Sequence, residues 1–418
     1  MSEHQGPVDE TLTERPLESY LRDDERLVHT LTNREVGVER TDGDSERQRH
    51  PAADRGAVAA LTDRRLLFAV GEQDEDFTAS VSYIDVADAE ATTETLTARL
   101  TVETATGTTW SFTAREADIA SVDAFLTTAC AGWGAVDTLE SHCERLAEYL
   151  ETGEYDAFDE HREAATTTLE RARDSDAAAR FEAVGDSIDR LADELYELVR
   201  DRYVLDGQEA LASAETRLDG ASFTTSYDRV QAACERFEHA LSLAATHDID
   251  TTPAADGLAS ARQRTGAVVA KPWAVARERA AQARDCEDLR ERIERLEDAL
   301  DSYQTLARLI TGDQRPFSGD RATVRDESEA VIASLIDARR ACARECRTTG
   351  NWEWEAGNDR EAYEQFDAAR ADLDRAVELA SAYPPGDAAA LRERRASLVS
   401  TVDPLLARFE AGEANADD

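Results

Sequence analysis

The sequence predicts an α+β multidomain chain: a small sheet closed by one helix, followed by an all-α body of antiparallel helical hairpins. Three observations carry this. Between about Tyr20 and Phe112, apolar residues alternate with polar ones between turn signals, which is strand periodicity. From Ile119 onward they recur at helical spacing. The 418 residues also exceed what one ordinary core serves, so two or three domains are expected.

Residues 1–15 are polar and read as a disordered lead-in. Pro16 opens a short helix over 17–21, and 25–32 reads as the first strand. Residues 40–55 are polar, lack periodicity and contain Asp42-Gly43, so they read as a long loop. Residues 56–61 and 65–70 are neighbouring strands; in the second, Leu66, Phe68 and Val70 point one way and Leu67 and Ala69 the other. A charged turn at 71–76 leads to a strand-like segment over 77–86, with Val81 and Tyr83 on one face. Leu96, Ala98, Leu100 and Val102 alternate with polar residues up to a Thr106-Gly107 turn, and Trp110 and Phe112 share a face beyond it. This predicts a hairpin. Ile119, Val122, Phe125, Leu126 and Ala129 then form one helical stripe suited to cover the sheet.

The Leu-Thr-Asp-Arg-Arg-Leu-Leu-Phe stretch at 61–68, the Val-Ser-Tyr-Ile-Asp-Val stretch at 81–86, the late hairpin and the amphipathic helix together resemble the prokaryotic pleckstrin-homology-like domains, including YokE-like and GRAM-like members. The resemblance covers residues 17–129. It implies a partly open β-barrel of about seven strands with a C-terminal capping helix, no enzymatic activity, and an adaptor or targeting role.

Gly132-Trp133-Gly134 reads as the boundary between a β domain at 16–132 and a helical body at 135–410. Leu139, Cys143, Leu146 and Leu150 make one stripe, stopped at Thr152-Gly153, after which a new helix begins at 154 or 155. Further helices are expected at 177–205, 208–217, 225–245, 253–264, 273–310, 321–348, 359–383 and 387–409, with a loop at 315–319 and a fraying tail at 411–418. A repeat runs through this body: Tyr227, Val230, Ala233, Phe237, Ala240, Leu243 and Ala244 align with Tyr363, Phe366, Ala369, Leu373, Ala376, Leu379 and Ala380. Gly220 and Gly357 precede the two copies, Pro253 and Pro384-Pro385 follow them, and Tyr155 and Phe158 mark a fainter third copy. Residues 356–369 resemble the turn and second helix of a tetratricopeptide repeat. The wider spacing between copies points to irregularly stacked hairpins.

The charge balance is extreme: 89 Asp and Glu against 47 Lys and Arg, a net charge of −42 and a pI near 4.5. Lys271 is the single lysine. This composition is similar to that of proteins from salt-loving archaea, where a Debye length of roughly 3 Å at molar salt screens self-repulsion. Such a field repels nucleic acid. No run of eighteen apolar residues and no signal-peptide pattern is present, so a cytoplasmic protein without a transmembrane segment is expected. The six scattered cysteines read as small buried hydrophobes of a reducing compartment.

Candidate functional residues fall in two sets. Arg40, Arg47, Arg49, His50 and Arg55 make a basic loop between the first two strands, where lipid-binding eukaryotic pleckstrin-homology domains hold phosphate; Glu39, Asp42, Asp44 and Glu46 lie among them. Trp133, Trp273, Trp352 and Trp354 are candidate partner anchors, although burial is the usual fate of tryptophan. Cys342 and Cys346, one helical turn apart, have the look of half a metal site. No second pair lies nearby in sequence, so packing is the expectation. His142, Cys143 and His161 lack an orienting third group for nucleophilic work. The reading is therefore a non-enzymatic interaction protein with a protein partner and no cofactor or metal. The alternative is weak membrane-surface targeting through the basic loop.

Overall fold

The computed structural model describes residues 13–93, 97–115, 119–311, 317, 319–383 and 387–413. The lead-in up to residue 12, Leu96, part of the 315–319 loop, Pro384-Pro385 and the tail from 414 lie outside them. The chain divides into two compact units, Met1–Tyr203 with His239–Pro253, and Val204–Glu238 with Ala254–Asp418.

The first unit begins with a 3-10 turn, Leu17–Tyr20, and nine strands: β1 Leu27–Asn33, β2 Val38–Asp42, β3 Ser45–Arg49, β4 Ala57–Thr62, β5 Arg65–Val70, β6 Phe77–Ser82, β7 Val86–Thr93, β8 Thr97–Thr104 and β9 Thr108–Arg115. They form two antiparallel sheets, ordered β1-β4-β5-β6 and β3-β2-β9-β8-β7. The strands β4 and β5 are buried on both faces. Ala57, Ala59, Leu61, Leu66, Phe68 and Val70 enter the main core, while Val58, Ala60 and Leu67 pack under Leu17 of the 3-10 turn. Two-sided burial is why these strands read as continuous apolar runs. In β8, Ala98, Leu100 and Val102 are buried as the alternation requires.

The segment at 40–55, expected as a loop, is largely a β-hairpin. Asp42-Gly43 turns between β2 and β3, Gly43 having φ 54°, and β2 joins the free edge of β9. All five residues of β3 are exposed, so no apolar alternation marks it in the sequence. Backbone pairing alone makes it a strand. Setting this hairpin aside leaves seven strands, β1 and β4 to β9, the number expected from the sequence.

The turn between β4 and β5 is a polar knot. The Glu25 side chain is fully buried and accepts from Thr62 Oγ1 at 2.7 Å, from Arg65 Nε at 2.8 Å and Nη2 at 2.9 Å, and from the Arg22 N–H at 2.9 Å. Tyr83 donates to the Thr62 carbonyl at 2.9 Å, and the Asp63 carboxylate accepts from the Arg26 N–H at 2.9 Å. Burial pushes the Glu25 carboxyl up, but the bonds from Arg65, Arg22 and Thr62 outweigh it and hold its pKa below the ordinary value. The stretch that carries the family resemblance is thus structural.

Helix α1, Ile119–Thr152, closes the sheets with Val122, Phe125, Leu126 and Ala129, and Phe125 meets Tyr83 edge-on at 6.2 Å between ring centroids. It runs without a break through Gly132-Trp133-Gly134, where a domain boundary was expected. A Cβ on Gly132 would stand 2.5 Å from Ala177 Cβ, so this glycine permits close packing; nothing in the structure explains Gly134. Trp133 donates to the Asp63 carbonyl at 2.9 Å. An 18-residue window of α1, with mean hydropathy 1.3, is long and apolar enough to cross a membrane; its apolar stripe lies in the core of this unit. That core continues without a seam into α2 (Tyr155–Arg173), α3 (Asp176–Arg180) and the start of α4 (Glu182–Asp219), as far as Val199.

The remaining helices are α5 Phe223–Thr246, α6 Thr252–Asp285, α7 Leu289–Thr311, α8 Arg321–Ala356, α9 Asp359–Ala382 and α10 Ala388–Glu413. Several are longer than the sequence suggests, whereas the helix expected at 273–310 is divided, α6 ending at Asp285 and α7 beginning at Leu289. α4 passes through Gly207, α6 passes through Pro272, and α10 extends to 413, past the expected start of the fraying tail. Gly207 and Gly257 both face the Phe237 ring, with added Cβ atoms falling 2.6 and 2.3 Å from it. Each glycine makes room for a ring inside a helix; at Gly207 the sequence suggests a break.

The repeat is confirmed in outline. In the alignment that sets Tyr227 on Tyr363, α5 and α9 begin and end together at 24 residues each, and α6 and α10 begin together. Three long-then-short hairpins, α1–α2, α4–α5 and α8–α9, share one turn geometry. Gly153, Ala221 and Gly357 have φ of 74°, 56° and 83°. The residues that follow them, Glu154, Ser222 and Asn358, donate to the carbonyls of Tyr149, Arg217 and Glu353, each at 2.9 Å. This is the Schellman helix stop. The left-handed residue of the middle hairpin is Ala221; Gly220, the glycine expected to make the turn, is its neighbour.

Candidate functional site

The basic residues gather on one hairpin. Arg40 of β2 lies directly opposite Arg47 of β3 in register, Arg49 ends β3, and His50 and Arg55 follow. Asn33 fixes the entry to the hairpin. Its Nδ2 donates to the carbonyls of Gly37 at 3.0 Å and Thr113 at 2.8 Å, while its Oδ1 accepts from the Gly37 N–H at 2.7 Å. Gly37 has φ 74° and sits against the Arg49 carbonyl, a place closed to any side chain.

Three of these arginines engage local acids. Arg40 pairs with Asp42 at 2.9 Å and lies 5.2 Å from the Trp110 ring centroid. The Thr108 hydroxyl and then Arg40 hold the Asp42 carboxyl below its ordinary pKa. Arg49 pairs with Glu72 at 3.4 Å and stands 4.9 Å over Phe77. Arg55 lies 3.5 Å from Asp76, a carboxylate that also accepts from the Glu14 and Arg15 N–H groups and the Tyr20 hydroxyl. Burial and Asp76 push the Tyr20 phenol up to about 12. Arg47 and His50 are exposed. The hairpin therefore presents mixed charge in place of a basic cradle.

The four tryptophans separate. Trp133 is buried under the β4–β5 turn and is an internal brace, with no exposed ring to offer a partner. Trp273 is half-buried, with Arg277 stacked 4.7 Å over it and Gly319 close beneath. Trp352 and Trp354, near the C-terminal end of α8, are 68% and 38% exposed. Trp354 meets the buried Phe366 edge-on at 6.0 Å, so it is anchored from below while its outer face meets solvent. The sequence supplies the residue type but not the exposure, since neither ring falls on a broken stripe.

Cys143 is fully buried and donates to the Leu191 carbonyl at 3.7 Å; burial pushes its thiol up to about 12. The two histidines beside it engage each other, His142 Nδ1 to His161 Nε2 at 2.8 Å. Burial, followed for His161 by the charge of His142, lowers both pKa values. The cysteines at 342 and 346 face a third potential ligand, Asp372, from the next helix. A 510 Å³ cavity lies between α7 and α8, lined by Tyr303, Ala307, Ile310, Val324, Ile332 and Tyr383 among others.

No protein-family model and no curated protein matches the chain. Among solved structures, one described as the Vps36 N-terminal PH domain is similar at 17% identity and a TM-score of 0.21, covering 29% of this chain and 90% of that one. Another, described as a circular tandem repeat protein with novel repeat topology and enhanced subunit contact surfaces, is similar at 13% identity and a TM-score of 0.18, covering 70% and 75%.

Proposed function

We propose that this protein is a non-enzymatic cytoplasmic adaptor that holds a protein partner on its helical part. The exposure of Trp352 near the C-terminal end of α8, together with the part-exposed ring of Trp354 two residues on, carries this reading. Large aromatic rings seldom remain in solvent, and tryptophan is enriched among the residues that dominate binding at protein interfaces. Half-buried Glu353 and exposed Glu355 add negative charge at this end of α8, suited to a partner with basic residues around an apolar pocket. The test is affinity capture with the full chain in high-potassium lysate, parent against Trp352→Ala/Trp354→Ala. A protein retained by the parent and lost by the variant supports the reading; identical retained proteins sink it.

A second reading rests on the cross-strand register of Arg40 and Arg47, which puts both arginines on one face of the hairpin. It makes the hairpin a contact for an anionic membrane surface. Flotation of the full chain with phosphatidylserine vesicles, abolished in Arg40→Ala/Arg47→Ala, supports it, and absence of flotation by the parent removes it.

A further inference from the structure

We propose that Cys342, Cys346 and Asp372 form a binding site for one thiophilic divalent cation of the zinc class. α8 presents the two sulfurs one helical turn apart, and α9 brings the carboxylate to them. One ligand atom from each residue lies within 4.8 Å of the others. A tetrahedral zinc ion holds thiolate and carboxylate donors roughly 3.5–4 Å from one another, so small side-chain rotations complete the site. All three residues are buried, at 4%, 5% and 9% exposure.

The surroundings distinguish this cluster from cysteines that merely fill space. A packing cysteine needs only apolar neighbours. Here a guanidinium group and a buried carboxylate, itself held by a second guanidinium group, meet the pair. Arg290 of α7 donates to Cys346 Sγ at 3.8 Å and places a positive charge beside the sulfur. Arg339 of α8 donates to Asp372 Oδ1 at 2.6 Å and, through its other nitrogen, to Glu297 of α7 at 2.7 Å. It orients the carboxylate as outer partners orient metal ligands. On binding, the Cys342 and Cys346 S–H protons leave to solvent and two metal–thiolate bonds and one metal–carboxylate bond form; no electrons are transferred. Two thiolates and one carboxylate carry three negative charges, which the dication and Arg290 balance, while Arg339 is matched by Glu297. Soft sulfur donors select zinc over magnesium and calcium, which prefer oxygen. The sequence hides the site because its third donor lies on another helix.

The test is zinc retention by the full chain during gel filtration in excess magnesium, which occupies oxygen-only surface carboxylates. The expected result is one zinc ion per chain, lost in Cys342→Ala and in Cys346→Ala and kept in Cys234→Ala. Alkylation of the folded parent, read peptide by peptide, requires no variant: zinc protects Cys342 and Cys346 and leaves the other cysteines unchanged. Cobalt(II) added in place of zinc gives a sulfur-to-metal charge-transfer band in the parent and none in Cys346→Ala. No retained zinc in the parent, retention unchanged in both cysteine variants, or equal alkylation with and without zinc each overturns the proposal.

Discussion

The β4–β5 turn and the helical hairpins are held by opposite means. In the turn, a buried carboxylate, a bidentate arginine, a threonine and a tryptophan N–H lock backbone and side chains through directed hydrogen bonds. Among the hairpins the recurring device is absence: a glycine on one helix receives an aromatic ring from another, as Gly207 and Gly257 receive Phe237 and Gly350 receives Phe366. The first arrangement fails when a partner is removed, and the second when an atom is added.

That contrast yields predictions of decreasing size. Arg65→Ala leaves Glu25 buried and unpaired and is expected to cost about 3–5 kcal/mol, read by denaturant unfolding at fixed salt. Since the Glu25 pKa is depressed, its stabilisation is present above the ordinary glutamate range and fades as pH falls through the folded value. Glu25→Gln is therefore expected to flatten the acid side of the stability–pH profile, and an unchanged profile refutes the role. Gly257→Ala sets a methyl against the Phe237 ring and is expected to cost about 1–3 kcal/mol by overpacking, with hydrogen exchange rising near α5 and α6. Ala221→Gly and Gly357→Ala form an opposed pair. The first relieves a left-handed alanine and the second creates one, each by about 1 kcal/mol, seen as thermal midpoints moving in opposite directions. Trp352→Ala is expected to change stability by less than about 0.5 kcal/mol while removing the captured partner.

The same contrast explains what the sequence discloses. The strands β4, β5, β8 and β9 are legible because their apolar residues fall on buried faces. The β2–β3 hairpin is not, because Ser45 to Arg49 is exposed on both faces and its pairing is made by backbone alone. Glycine is ambiguous on paper. At 153 and 357 it stops a helix, while at 132, 207 and 257 it lies within one and admits a neighbour. Only knowledge of what faces it separates the two. Of the candidate site residues, sequence reasoning finds the arginines, the tryptophans and Asp42 beside Arg40, but not Glu72 and Asp76, which engage Arg49 and Arg55, nor which rings face water.

The unbroken course of α1 has a consequence for how such a protein can be built and rebuilt. A helix that caps a sheet in its first turns and packs against α2 and α3 further along gives a gene no clean seam at residue 132. A cassette ending there would carry the β4–β5 turn away from the indole that braces it and strip Gly132 of the neighbour it was shaped for. Exchange of this β module between proteins, in nature or at the bench, therefore has to carry the first helical hairpin and α3 with it.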